Sequence, residues 1–507
     1  MAIAPGMQDH AAATANTPAD VGPGDAAHGA RRSGADSCTG NQTGSGDKSP
    51  GANTGTSTGA LAWPSERAGF YALFCIVFAT FLTFFDQTVF AMLAERMKAS
   101  FGLSDSALGF VLGPASVVAF VFVGIPLARL VDIFPRKFVL AGGITVLGVI
   151  TALGGLAQSF AQLVGTRLFV GAGGAANGPG SYSMLADYFR PLKLPLVFAL
   201  LQLGFILGSS LGTWGGGQLI AWASTWPETS EVLGLRIFNW QWVLIIIGLP
   251  GLLAALLFLT VKEPPRRTLP GTQKLVPDDA SVWRKALAFT GIDALRAINL
   301  RGAVYWPLFA ALALSAIESQ GLPAWRVPFI SRTYGWDEAQ IGNVLGPLLL
   351  IANLAGIMAG SIFVSRLARR YKDANIRAAA IIFTLATVFA IAAPLMPTGE
   401  LALICLALTS MCGLAGAPAQ NAAIQRIAPN EMRGQVTALY LFMFTFFGAM
   451  GSFVIGTVSD LIVGDPQKLW QALLIVAAVF MPAATFFMWR AIGPYREEVE
   501  RLEALGR

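Results

Sequence analysis

The chain has 507 residues, of which 54% are apolar and only 13% charged, with a formal net charge of +6. A soluble protein carries about 25% charged residues, so an ordinary soluble globule is excluded, and the unit to count is the apolar segment rather than the domain. The positive balance would suit nucleic acid only with a reading motif on a basic face; here the cations cluster between apolar runs, and nucleic acid is not an expected partner.

Both histidines, His10 and His28, fall in the first 30 residues, so the apolar body holds no imidazole for a catalytic triad, a proton shuttle or a metal site. The four cysteines, Cys38, Cys75, Cys405 and Cys412, have no ligand spacing. No metal, no cofactor and no catalytic residue is expected, and the chain is not read as an enzyme. A GxxxxGK[ST] phosphate loop is also missing, so any work on a solute must draw on gradients.

In chain order, residues 1–66 are rich in Ala, Gly, Ser, Thr and Pro and too poor in aliphatic residues to offset the entropy of ordering, so they read as a disordered tail. Six runs long enough to cross about 30 Å of hydrocarbon follow within residues 67–262, at 69–94, 107–131, 138–159, 162–189, 196–222 and 242–262. A polar connection at 263–302 has a stretch, 282–300, patterned as an amphipathic surface helix. Six more runs occupy residues 303–495, at 303–325, 340–365, 376–397, 401–427, 434–461 and 469–490, before a short tail at 496–507. With the tail placed inside, the short inner loops hold eleven Lys and Arg against six outside, so both termini are expected in the cytoplasm.

Residues 101–114 (FGLSDSALGFVLGP) align without gaps on 334–347 (YGWDEAQIGNVLGP), an offset of 233 with six identities in fourteen columns. At the same offset Arg136 and Lys137 fall on Arg369 and Arg370. The chain therefore reads as an internal duplication, the usual build of secondary transporters whose solute site lies between the halves near the membrane midplane.

Residues 124–137 (GIPLARLVDIFPRK) resemble the loop signature between helices 2 and 3 of the major facilitator superfamily. A wider set resembles its spinster-like branch: Phe85-Asp86-Gln87, Leu103-Ser-Asp105, Arg167 before a glycine-rich stretch, residues 248–252 (GLPGL), Glu263-Pro-Pro-Arg266, and Ile424-Gln-Arg426 with Met432-Arg-Gly434. The resemblance covers roughly 67–495 and implies an all-α membrane protein of twelve helices in two pseudo-symmetric six-helix bundles, monomeric, in the plasma (inner) membrane. It also implies that spans 1, 4, 7 and 10 line the cavity. The chain departs from the branch where a glutamate usually stands seven residues after the span 4 arginine; here that position is Gly174.

Several polar residues within the spans are candidates for binding solute or protons. Asp86 lies mid-span, where an unpaired carboxylate costs at least about 2.5–3.5 kcal/mol; it is either kept neutral, wetted by a cavity, or paired with Arg167. Arg167 cannot usefully lose its proton, so it meets either an anionic solute or Asp86. Glu318 is the candidate to replace the absent glutamate, against simple exposure near the outer surface. Gln87, Asn177, Gln320, Gln420 and Asn421 complete the polar set. Asp86, Arg167 and Glu318 are expected to face one shared, water-reachable hollow.

By the resemblance, Asp132, Arg136 and Lys137, with Arg369, Arg370 and Arg433, belong to gating loops that clasp neighbouring helix ends when the cavity faces outward; the alternative is a solvated topological loop. Gly204, Gly208, Gly212 and Gly216 repeat every four residues and read as close helix packing.

The expected function is a secondary transporter that moves a small organic or amphipathic solute, neutral or anionic, by alternating access, coupled to protons and embedded among membrane lipids. Two rivals remain: an uncoupled facilitator, and a transport-dead sensor or scaffold.

Overall fold

The structure, a computed structural model, describes residues 63–232, 234–265, 299, 301–428 and 433–504. The N-terminal tail before residue 63, the surface helix expected at 282–300 apart from Asn299, and the side chains of Asp132 and Arg433 lie outside the described residues.

The first half contains α1 (Glu66–Met92), α2 (Ala94–Phe101), α3 (Asp105–Leu112), α4 (Pro114–Ile133), α5 (Arg136–Gly154), α6 (Phe160–Tyr188), α7 (Leu194–Ala223) and α8 (Asn239–Thr260). The second contains α9 (Gly302–Tyr334), α10 (Glu338–Ala368), α11 (Ala374–Ala392), α12 (Gly399–Ile427), α13 (Arg433–Val458) and α14 (Leu469–Ala504). Among the described residues, ten helices are long and apolar enough to cross a membrane. The two other expected spans are α6, of 29 residues, and the pair α3 and α4. That pair breaks at Gly113 (φ −131°, ψ −81°), with Pro114 at the first position of the new helix, whereas the equivalent Gly346-Pro347 runs unbroken inside α10. A short antiparallel hairpin, β1 (Thr229–Val232) and β2 (Leu235–Phe238), joins α7 to α8.

The duplication has a backbone signature. Gly102 (φ 63°) and Gly335 (φ 75°), at equivalent positions, both close a helix in the left-handed conformation that glycine adopts without strain. Two residues on, Ser104 and Asp337 accept from the backbone N–H of Ala107 and Gln340 and open the next helix of each half. Helix α9 runs on to Tyr334, beyond the expected end near residue 325, because the basic Arg332 in its last turn is neutralised by carboxylates rather than left to solvent.

An even number of spans brings the start of α1 and the end of α14 to one face, called here the termini face, and the opposite one the far face. The apolar core divides along this axis. One cluster gathers Val89, Phe90 and Leu108 of the first half with Trp325, Phe329, Ile341 and Ile455 of the second, all near the far face. Towards the termini face the clusters separate: Leu73, Ile76, Leu140 and Phe258 belong to the first half alone, and Tyr305, Ile376, Ile424 and Tyr495 to the second alone. The bundles are thus sealed together at the far face and have independent cores at the termini face.

Small residues make the seal. A Cβ on Gly342 would stand 2.7 Å from the Thr213 carbonyl, and one on Gly346 2.7 Å from the Trp214 Cβ, where α10 crosses α7. The second seam joins α3 to α13, where the Ser452 hydroxyl donates to the Gly109 carbonyl at 3.0 Å. The stripe Gly204 to Gly216 faces α1, with Cβ positions 2.5–3.0 Å from Val77, Phe81, Thr88 and Val89, which fits the packing role expected of it.

Because this seam belongs to the far-closed arrangement, Gly346→Val should act as overpacking, costing about 1–3 kcal/mol in that state. We expect roughly a 5- to 150-fold shift towards a far-open state, read as a longer distance between spin labels placed across the far face. An unchanged distance distribution would contradict the seam's role.

Candidate functional site

Helices α1 and α6 bring Asp86 and Arg167 together. The Arg167 Nη1 lies 3.4 Å from Asp86 Oδ2, and each residue is only 2% exposed. Phe90, one turn after Asp86, presents its ring to the guanidinium, with Cζ 3.8 Å from the centroid. The guanidinium runs beside α5: a Cβ on Gly154 would stand 3.6 Å from Arg167 Nη2. The pair is only partly satisfied. Arg167 Nε and Nη2 have no hydrogen-bond partner among the described residues, and Asp86 Oδ1 makes no close hydrogen bond, the buried Thr151 hydroxyl being its neighbouring donor. Of the alternatives open to Asp86 and Arg167, the structure shows the ion pair, closed inside the first bundle.

Glu318 is 3% exposed, not near the surface, and both carboxylate oxygens lack a partner among the described residues. It borders a small enclosed cavity of about 10 Å³ walled by Leu322, Phe329, Pro394, Ile455 and Leu473, all of the second bundle. The expected shared hollow for Asp86, Arg167 and Glu318 is therefore not what the structure shows. The pair bridges α1 and α6 beside Phe90, while Glu318 stands on α9 beside Phe329 with Arg326 as its charged neighbour.

The remaining polar candidates are dispersed. Asn177 on α6 approaches Thr83 on α1 (Nδ2 to Oγ1, 3.5 Å) and accepts from the Ser181 hydroxyl at 3.3 Å. Gln320 lies against Gly448 of α13, and Gln420 is buried beside Gly416. Gln87 and Asn421 are exposed.

Sequence reasoning missed an ionic latch across the far face. Arg332, at the end of α9, donates to both oxygens of Asp105 at the start of α3 (2.8 and 2.9 Å) and to Glu95 of α2 (2.9 Å). Asp105, with a fully buried side chain, also accepts from Lys98 and from the Ser459 hydroxyl at 2.6 Å. Asp460 accepts from the backbone N–H of Asp105 and Ser106, capping α3 from the other bundle. Arg96 of α2 makes a two-point contact with Glu338 of α10 at 2.9 and 3.2 Å. The Leu103-Ser-Asp105 motif was the available signal, but its partners lie more than 200 residues away.

On the termini face the basic loops bond within their own bundles. Arg136 is 5% exposed and pairs with Asp187 at 2.6 Å while donating to the Ser183 carbonyl at 2.9 Å. The two oxygens of Glu263 accept from the backbone N–H of Arg136 and Lys137, each at 3.1 Å, capping α5. In the second half, Asp373 ties α11 to α14 by accepting from Arg377 (3.0 Å) and Arg496 (2.8 Å). Burial works against the Asp373 charge, but the hydrogen bonds from Arg377 and Arg496 outweigh it and hold the carboxyl below its ordinary range. Arg369 and Arg370 are exposed.

Comparison with known proteins agrees with this architecture. The sequence profile of the Major Facilitator Superfamily matches residues 76–452, and the chain belongs to that superfamily. It is 29% identical over 424 residues to an MFS-type efflux pump of Mycolicibacterium smegmatis, covering 82% of this chain and 91% of that one. Its likeness within the superfamily extends to the spinster branch. Protein spinster of Drosophila melanogaster is 22% identical over 319 residues, 61% of this chain and 48% of its own length. The crystal structure of a bacterial homologue of the human lysosomal transporter spinster, inward-facing and unoccupied, superposes with a TM-score of 0.68 at 22% identity, covering 86% of this chain and 98% of that one. The protein is an integral membrane secondary transporter that works by alternating access.

Two outcomes test the ionic sites. Arg332→Gln removes one of the two cations on the buried Asp105 and leaves Lys98, a loss of about 1–3 kcal/mol; we expect roughly a tenfold rise in alkylation rate of a cysteine placed between the bundles near the far face, and no rise would show the latch to be idle. Asp373 has a lowered carboxyl in the folded state, so its contribution is complete above about pH 4 and is lost as pH falls through the still lower folded value. Thermal unfolding of Asp373→Asn should therefore lie below wild type at neutral pH, and the gap should narrow below about pH 4.

Proposed function

We propose that the protein is a proton-coupled transporter of a small amphipathic organic solute bearing an anionic group, lying in the plasma membrane with both termini in the cytoplasm. The excess of Lys and Arg on the termini face supports this orientation. The cleft then opens to the cytoplasm. The observation that carries the reading is the incompletely satisfied Asp86–Arg167 pair, a single 3.4 Å contact that leaves two guanidinium nitrogens without hydrogen-bond partners among the described residues and one carboxylate oxygen facing only the Thr151 hydroxyl.

A fully matched buried pair would be a fixed strut. This one has free donors on the cation and, on the anion, an oxygen faced only by a hydroxyl, so it can exchange partners. A proton on Asp86 removes the carboxylate charge and releases Arg167, whose guanidinium then holds the solute's anionic group through charge-assisted hydrogen bonds. Loss of the proton restores the pair and expels the anion. Proton and solute thus bind together, and neither the empty nor the doubly occupied site carries an unpaired charge through the transition. Glu318 is a second proton site on the other half: among the described residues neither of its oxygens is hydrogen-bonded, and its charged form interacts with the Arg326 guanidinium further along α9. Gln87, Asn177, Gln320, Gln420 and Asn421 supply uncharged hydrogen-bonding groups for the solute, and the Arg136 and Lys137 loop with Arg369, Arg370 and Arg433 acts when the termini face closes. The gap of Gly174, whose Cβ position meets nothing within 4 Å, leaves room beside α6 for the solute's apolar part.

The test is flux in proteoliposomes with a panel of aromatic carboxylates and lysolipids. Wild type should accumulate its substrate only under a pH gradient, and Asp86→Asn should lose gradient-driven accumulation while keeping exchange of internal for external substrate. Transport by Asp86→Asn with the pH dependence of wild type would overturn the proton role.

A further inference from the structure

We propose that a recess on the termini face, where the loop between α10 and α11 meets the end of α12, is a binding site for a phosphate-bearing anion, supplied by a lipid headgroup or by a soluble phosphate ester. It does not depend on what the transporter carries.

The recess has a volume of about 310 Å³, near the lower end of the roughly 300–1,000 Å³ of small-molecule pockets. Arg369, Arg370, Lys372 and Arg426 line it, with Asn375 among them. Lys372 (2.7 Å) and Arg426 (2.9 Å) share the Glu503 carboxylate, and Glu500 also acts on Lys372. Arg369 and Arg370 have no ion pair among the described residues. Asp373, the nearest other acid in sequence, is committed to Arg377 and Arg496 on the α14 side. It makes no capping hydrogen bond to α11.

Comparison of the halves sharpens the point. In the first bundle the equivalent loop carries its own anions: Asp187 pairs with Arg136, and Glu263 caps the following helix through the N–H groups of Arg136 and Lys137. At the repeat offset of 233, Arg369 and Arg370 take the places of Arg136 and Lys137, while Arg496 falls where Glu263 stands. The second half has kept the basic pair but carries it at the end of α10, where the N–H groups of Arg369 and Arg370 donate to the Arg366 and Leu367 carbonyls and the side chains are left exposed. A phosphate, with three acceptor oxygens and planar guanidiniums as partners, would supply the counter-charge that the Arg369 and Arg370 side chains lack among the described residues.

The experiment uses the full-length protein in detergent and in nanodiscs. Native mass spectrometry would count bound phosphatidylglycerol against phosphatidylcholine, and thermal shift would follow inorganic phosphate and glycerol 3-phosphate. Each basic residue near an anionic headgroup contributes roughly fivefold, so Arg369→Gln/Arg370→Gln should weaken phosphatidylglycerol binding about 25-fold. The control Arg67→Gln/Arg190→Gln, which removes the same charge from the first bundle on the same face, should leave it unchanged. Binding of both the lipid and the soluble esters through the recess would mark recognition of the phosphate itself; binding of the lipid alone would mark a membrane headgroup site. Equal losses in the two double variants would mean diffuse surface attraction, and no binding of either probe would mean an empty recess; both results overturn the proposal.

Discussion

Everything in this molecule depends on where apolar surface is shared between its two halves. The far-face cluster, with Val89 and Phe90 against Trp325 and Phe329, is common to both bundles, while the cores towards the termini face are not. Two rigid bodies joined along one edge and free along the other form a hinge, and a cleft open to one face follows from that alone. The glycines at the α7–α10 and α3–α13 crossings let backbones approach until dispersion contacts and weak polar contacts replace lipid, which is the source of helix association where water is absent.

Charge placement follows the same division. The far-face latch of Arg332, Asp105, Glu95, Arg96 and Glu338 crosses between bundles and is formed only where the apolar seam holds them together. On the termini face each charge bonds inside its own half: Arg136 with Asp187, and Asp373 with Arg377 and Arg496. An ionic seam that must open has to be rebuilt in another arrangement, whereas one inside a bundle persists through the cycle. The interior charges are of a third kind. Asp86 and Arg167 neutralise each other across α1 and α6 in the first half, while Glu318 stands without a bonded partner in the second.

Much of the fold was legible in the chain. Apolar runs of membrane length, an offset of 233 residues between matching motifs, and paired basic loops are local patterns, and hydrocarbon leaves the backbone few solutions besides helices. Helix ends were read less well. The second span breaks at Gly113 although the same Gly-Pro pair in the second half leaves α10 whole, and α9 extends past Arg332, whose charge is met by carboxylates supplied from elsewhere in the chain. The mid-span positions of Asp86, Arg167 and Glu318 could be found from the cost of burying a charge. Their partners could not, since the same sequence allows Arg167 to meet a solute or Asp86.

The sequence by itself determined that this is a duplicated membrane transporter with charges inside its spans, because periodicity, hydropathy and repeat spacing are properties of neighbouring residues. Only the tertiary structure decided that Asp86 and Arg167 form a pair apart from Glu318, that Arg332 and Asp105 lock one face, and that Arg369 and Arg370 lack the carboxylates that serve their counterparts in the first half. Such pairings join residues from tens to hundreds of positions apart, and which charge meets which is settled by the packing of whole helices rather than by any local pattern.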